Sequence, residues 1–294
     1  MTNQSPNQLD LPPVFEPYRE QLAATVKPYI QIQTHVTQTA TLWQSKFLGL
    51  PYLPKSISPP KTPAGDYLYL LAQINFAEVP NLEGFPSQGI LQFYIAKDEF
   101  YLYGADFDNP TAQTHFRVLY HPNPEPDESK LVTQFDFMPS PWDDDDRYMP
   151  FEIHSKYLSK PDSCLALTFQ QKTAPISICD YRSAALTGFD PLTHGPRGEH
   201  DMTEDEFWRM LDAYSQQFEG HRLGGHPLFT QSDPRNCLPQ DQDPYELLLL
   251  QIDSEDNGKI GILWGDTGIC NFFIRPSALK KLDFSDILYN WDCG

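Results

Sequence analysis

Three stretches carry residue types that could do chemistry. The first, Asp253-Ser254-Glu255-Asp256-Asn257-Gly258-Lys259-Ile260, has oxygen donors at positions one, three and five, glycine at six and an aliphatic at eight. That is how a helix-flanked calcium loop begins, but such a loop closes with a bidentate carboxylate at position twelve. Here that position is Trp264. The flanks are apolar runs suited to strands, and Asn-Gly favours a tight turn because both residues tolerate positive φ. The stretch is therefore expected to be a hairpin turn without a metal. The second is Asp143-Asp144-Asp145-Asp146, after Pro141-Trp142. Adjacent side chains on a loop do not usually converge on one cation, so a solvated acidic loop is expected. The third is His221, His226 and Asp233, with Cys237 beyond. A nucleophile and its base are recognised by geometry, and this spacing matches no local signature. No catalytic residue, metal ligand or cofactor is assigned.

Two glutamines are more informative. Gln73 and Gln251 each sit inside an apolar run, where a buried amide needs partners. Tyr67 to Asn75 aligns without a gap on Tyr245 to Asp253, at an offset of 178 residues. GILQFYI (Gly89 to Ile95) aligns on GICNFFI (Gly268 to Ile274) at 179, and Gly49-Leu50-Pro51 on Gly225-His226-Pro227 at 176. Blocks in one order at nearly one offset point to an internal repeat. On this reading the glutamines tie two equivalent strands to neighbouring loops; alternatively they face a shared cleft.

The elements that position these residues are mostly strands. Leu247 to Ile252 is a short apolar run, Lys259 to Trp264 a return strand, and Cys270 to Ile274 a third, stopped by Pro276. Glu16 to Lys27 has a helical stripe, ended by Pro28. Tyr29 to Lys46, His115 to Tyr120, Leu131 to Met138 and Met149 to Cys179 read as containing strands. Thr203-Glu204-Asp205-Glu206 is a capping box opening the helix Glu204 to Phe218, which ends at Gly220. A short helix, Ser277 to Lys281, follows Pro276. Residues 1–14 are polar and proline-rich, a flexible tail on this reading, and 15–294 form one domain.

The same residues carry a family resemblance. SKFLGLPYLP (Ser45 to Pro54), LLAQINFAEVP, GILQFYI, GGHPLFTQSDPR, LLLLQID, WGDTG and NFFI occur in this order from about Phe15 to the C-terminus. The set resembles the YwqG-like family of uncharacterised proteins. The resemblance implies an α+β protein and no catalytic residues. One departure is Leu48, where the family tends to have the first of two glycines, which loosens the expected turn.

Composition narrows the class. The 294 residues carry 40 Asp and Glu against 21 Lys and Arg, a formal charge of −19. Residues 1–64 hold five cations and three carboxylates, +2, so the remainder carries −21. Such a body repels nucleic acid and anionic membrane and attracts basic proteins. No apolar run approaches membrane-spanning length, and no secretory leader is evident. Cys164, Cys179, Cys237, Cys270 and Cys293 are scattered without CxxC spacing, which fits a reducing cytoplasm.

The expectation is an α+β body of two pseudo-repeated antiparallel β-meander halves, about 47–103 and 223–281, with helices packed on one side. The expected function is a non-catalytic cytoplasmic binding protein for a basic protein partner. Its contact residues would be Trp264 and Asp266 in the WGDTG turn, with His226, Gln73 and Gln251 as further candidates. The alternative is a hydrolase or cation-dependent enzyme with its site in the cleft between the halves. Oligomeric state is left open.

Overall fold

A computed structural model describes residues 9–138, 140, 147–154, 162–191, 203–239 and 241–294. The Asp143 to Asp146 run lies outside the described residues, as does the start of the N-terminal tail.

The body is a ten-stranded antiparallel sheet, broadly α+β in class and nearly closed into a barrel. Its strands are β1 (Lys27–Thr37), β2 (Lys46–Phe47), β3 (Tyr69–Asn75), β4 (Ile90–Ile95) and β5 (Phe116–His121). They continue with β7 (Cys164–Ala174), β8 (His221–Gly224), β9 (Leu247–Asp253), β12 (Ile269–Ile274) and β13 (Ile287–Asp292). The long pair β1–β7 forms the middle. From it one arm runs β8, β9, β12, β13 and the other runs β2, β3, β4, β5. The arms curl toward each other, because alternating apolar residues on each concave face leave water only by meeting. Phe93 of β4 packs on Phe272 of β12 at 4.8 Å, and Phe116 of β5 on Tyr289 of β13 at 5.1 Å. The space between the arms is thus filled by one core, which also takes in Ile30, Phe47, Leu165 and Leu250.

Several elements differ from the sequence reading. Lys259 to Trp264 does not return alongside β9. A separate three-stranded sheet holds β6 (Phe151–Ile153), β10 (Glu255–Asp256) and β11 (Ile260–Ile262), in the order β10, β11, β6. The Asn257-Gly258 turn therefore links β10 to β11, and β9 pairs with β8 and β12. Each apolar run alone is compatible with either partner, and register across the chain decides. Leu131 to Met138 forms no strand, only an isolated bridge from Leu131 to Pro54. β13, with Asn290 and Asp292 facing away from the main core, escaped the sequence reading.

The helices are short. A 3-10 turn at Pro13–Tyr18 leads into α1 (Arg19–Ala24), followed by α2 (Ser183–Thr187), α3 (Glu204–Ser215) and α4 (Pro276–Lys280). The capping box is present: the Glu206 amide donates to Thr203 Oγ1, and the Thr203 amide donates to Glu206 Oε2 at 2.8 Å. Phe15, Leu22, Phe207, Leu211 and Tyr214 bury a second core against Tyr29, Ala174 and Ile269. Leu279 of α4 joins the main core instead. Leu9, Leu11 and Val14, placed by the sequence reading in a flexible tail, are buried in the second core.

Two turns need left-handed backbone. Gly49 and Gly225 have φ of +80° and +72°, and a Cβ on either would meet a sheet Cβ at 2.8 Å, that of Cys164 or of Tyr29. Leu48 holds φ +60° beside Gly49, as Gly224 holds +68° beside Gly225. Burial of the Leu48 side chain in the main core offsets the left-handed strain, so the turn holds without the first glycine.

Candidate binding groove

Four of the five residues singled out in the sequence lie in the interior. Trp264 is fully buried, edge-on to Tyr103 at 5.5 Å. It follows the end of β11 and turns inward, so it is a core residue and cannot be a surface anchor. Asp266, two residues on, is exposed. Gln73 donates to Leu42 O and Gln44 O and accepts from the Tyr52 amide, at 2.7 to 2.8 Å. Gln251 donates to Phe218 O and Gly220 O and accepts from the Leu228 amide, at 2.8 to 2.9 Å. Each amide is spent on its own arm's loops. The two do not face a shared cleft, since the core occupies the space between the arms.

His226 is buried, donating from Nε2 to Thr25 O at 2.8 Å. Its Nδ1 lies 4.0 Å from Asp180 Oδ2. Burial pushes the His226 pKa down, while Asp180 and the Thr25 carbonyl oppose that shift. Asp180 also meets Arg182 at 2.6 Å and Arg235 at 3.2 Å, and Arg235 meets Asp233 at 2.6 Å. Burial would raise the Asp180 pKa, but the Arg182 contact and its other partners hold the carboxyl far below the usual range. His226 and Asp233 thus belong to one buried ion network that locks loops together. His221 sits elsewhere: its Nδ1 accepts from the Asp253 amide at 3.0 Å, and its Nε2 donates to Glu255 Oε2 at 3.0 Å. Glu255 also accepts from Thr34 Oγ1. With both ring nitrogens engaged, His221 has no lone pair left for a general base.

The surface offers a site that the sequence reading missed. A groove of about 710 Å³ lies over β13. Its floor is Leu288, Asn290 and Asp292, which alternate onto one face of the strand. One wall is the 100–110 loop. Asp98 Oδ1 accepts the Phe100 and Leu102 amides at 2.9 and 2.8 Å, and the backbone takes positive φ at Tyr101 and Tyr103. This turns apolar side chains outward: Phe100 is 75% exposed, Tyr101 47% and Phe107 52%. The loop is strapped to β13, with Trp291 Nε1 donating to Leu102 O at 2.9 Å and the Tyr289 amide to Pro110 O at 3.0 Å. Tyr101 is held by stacking on Tyr148 at 3.9 Å. The other wall is the 231–238 segment, a 3-10 turn at Pro234–Cys237 capped by Asp233.

The charge of the groove is one-sided. Among the described residues, Asp108 and Asp292 line it, and no Lys, Arg or His does. Asp292 Oδ2 accepts the Gln231 amide at 2.7 Å. Thr230 also approaches the carboxylate, yet Oδ1 keeps no hydrogen bond of ordinary geometry. Burial pushes the Asp292 pKa up, against the pull of Gln231 and Thr230. The aromatic run Phe100-Tyr101-Leu102-Tyr103 was the one signal available in the sequence; it reads equally well as strand.

The nearly closed antiparallel sheet thus carries an aromatic, acidic groove over one edge strand. Residues 45–293 match the family model of a domain of unknown function (DUF1963). The chain belongs to the DUF1963 family. No curated protein matches it. Among the described residues, no helix is long and apolar enough to cross a membrane, and no three His, Cys, Asp or Glu side chains are grouped to hold a metal ion.

Proposed function

We propose that this protein is a non-catalytic cytoplasmic binding protein that docks a basic segment of a partner protein in the groove over β13. The observation that carries the reading is the exposed cluster Phe100, Tyr101 and Phe107 beside two carboxylates, with no cation among the described lining residues. Exposed aromatic side chains supply contact area at low entropic cost, and opposite charge raises the association rate. The −19 net charge acts in the same direction and disfavours nucleic acid and anionic membrane. Asp266, exposed in its turn, is a peripheral charge that steers the same partner.

The sheet, on this proposal, is a duplication, and the protein a YwqG-like member of its family. The two arms leave β1–β7 in matching order. Register slips at Leu71 in β3 and at Leu249 in β9, the aligned residue. Gln92 donates to Tyr52 O and Asn271 to Leu228 O, at aligned positions. Lys46 and Arg222 are aligned buried cations, each donating to a carbonyl of the preceding loop, Thr41 or Gln217.

The test is a panel of labelled decapeptides, basic, neutral or acidic, each with one aromatic or leucine residue. Binding to the wild type, Phe107→Ala and Phe100→Ser is followed by anisotropy at low and moderate salt. Preference for basic peptides, loss in both variants and weakening with salt are expected. Equal binding of acidic peptides, or groove variants that bind like the wild type, would overturn the reading.

A further inference from the structure

A second groove, of about 690 Å³, lies at the end of β5. β5 and β13 are the outermost strands of the two arms. His121 of β5 pairs with Ile90 and Asp292 of β13 with Ile269, residues that align at the 179 offset. Lys55 lines one groove and Gln231 the other, and they align at the 176 offset of the Gly49 to Pro51 block. The two places are wired differently. Over β13 the Gln231 amide donates to Asp292 Oδ2 at 2.7 Å. Over β5 the Lys55 amide donates to Lys130 O at 2.9 Å instead, and His121 receives no amide.

His121 is only 8% exposed, and Gln92 fixes its tautomer. Gln92 Nε2 donates to Tyr52 O at 2.7 Å and to Gln73 Oε1 at 2.8 Å. Its Oε1 is therefore the acceptor, taking Tyr94 Oη at 3.1 Å and His121 Nε2 at 2.9 Å. The ring proton sits on Nε2, and Nδ1 presents a lone pair. Among the described residues Nδ1 has no hydrogen-bond partner, and unlike the sealed Nδ1 of His226 it opens to the groove. Burial pushes the His121 pKa down to about 4, which keeps the ring neutral around pH 7. Lys55 Nζ donates to Ser129 O at 2.8 Å and meets no carboxylate among the described residues, so two of its N–H donors remain. Lys130 and Glu125, also in the groove, neutralise each other at 2.9 Å. Ile57, 37% exposed, and the exposed Pro122 add apolar surface.

We infer that this groove is a second binding site, for a carboxylate that carries an N–H or O–H donor on its α-carbon. The donor hydrogen-bonds to His121 Nδ1, the carboxylate accepts from Lys55 Nζ, and the α side chain rests on Ile57 and Pro122. The last residue of a peptide and a free N-acyl amino acid share this chemistry. Other ligands match the two polar groups less well. A phosphate dianion has no proton for Nδ1, so its oxygens would face the lone pair. An unacylated amino acid brings an ammonium beside Lys55, and like charges repel. The net charge of −19 opposes any anion at long range, so affinity rests on these short contacts.

The experiment uses the full chain with its histidine nitrogens isotopically labelled for NMR. The probes are N-acetyl-leucine, its amide, a Ser-Gly peptide ending in leucine with a free or amidated C-terminus, the free-acid peptide N-methylated at its last amide, and inorganic phosphate. The His121 Nδ1 signal is the one lost in His121→Gln, or in His121→Asn should the first variant fail to fold. The free acids should bind in the millimolar range and move this signal upfield, as an accepted hydrogen bond does. Amidation and Lys55→Ala should each weaken binding at least fivefold, with little further loss when combined. N-methylation should abolish the Nδ1 shift. Lys55 is exposed, so its variant is expected to fold. N-acetyl-leucine binding as well as the peptide supports a site for small acids, and a preference for the peptide supports a site for chain ends. No binding of either acid would overturn the site, as would amides or phosphate binding as tightly, or saturation that leaves Nδ1 unmoved. Phe107→Ala should leave these titrations unchanged, so a failure here leaves the groove over β13 standing.

Discussion

Gln73 and Gln251 make the same set of backbone hydrogen bonds on opposite arms of the sheet. Each donates to two carbonyls of the loop before its neighbouring short strand and accepts one amide from the loop after it. Both side chains are fully buried. A glutamine inside an apolar strand is costly unless its amide is satisfied, and here it also satisfies loop groups that would otherwise be orphaned.

Replacing either glutamine by leucine should therefore destabilise the fold strongly. Three backbone groups lose their partner in each case, and each such loss costs about 1–3 kcal/mol. Gln73→Leu and Gln251→Leu should each cost about 3 kcal/mol or more, by similar amounts, in urea unfolding. A cost below about 1 kcal/mol in either would show that its loop finds other partners.

Two residues of one turn should behave in opposite ways. Trp264→Ala empties a site in the main core and should cost about 3–5 kcal/mol. Asp266→Ala, on an exposed position, should stay within about 0.5 kcal/mol of the wild type while slowing association with basic peptides at low salt. Thermal melts and stopped-flow association separate the two effects.

Acid should weaken the fold partly through His121. Its Nε2 lies 2.9 Å from Gln92 Oε1, and burial pushes its pKa down to about 4. The unfolded chain takes up this proton near its ordinary value of 6.5, and the folded chain resists until about 4. Stability then falls as pH drops through that window, by at most about 3 kcal/mol from this group, less for solvent screening. The slope between pH 6.5 and 4 should be shallower in His121→Gln than in the wild type. Equal slopes would remove the histidine from the acid limb.

The Asp253 to Gly258 stretch should give no calcium heat in calorimetry. Asp253 Oδ2 accepts the Gly220 amide, Glu255 faces His221 and Thr34, and Asn257 Oδ1 accepts the Ile260 amide. These oxygens point to different partners, so gathering them on one ion would break each contact. Submicromolar binding lost in Asp253→Ala would contradict this.

Local chemistry made parts of this molecule readable in one dimension. The capping box of α3, the strands β3, β4, β9 and β12, and the recurring glutamine follow from residue type and spacing, because propensity and period act over a few neighbours. The acidic balance is likewise a property of composition. The partner of each strand is not. Leu247 to Ile252 and Lys259 to Trp264 look like a hairpin, yet their pairing goes to β12 and β6, because only the closed core determines which apolar face meets which. The site was the least readable part. Trp264 and Asp266 are neighbours in a turn, and the inward course of the chain after β11 buries one and leaves the other in water. Asp292 and Phe107 are far apart in sequence and line one groove because the 100–110 loop is strapped across β13. Burial and proximity depend on contacts between distant residues, and those exist only once the sheet has curled on itself.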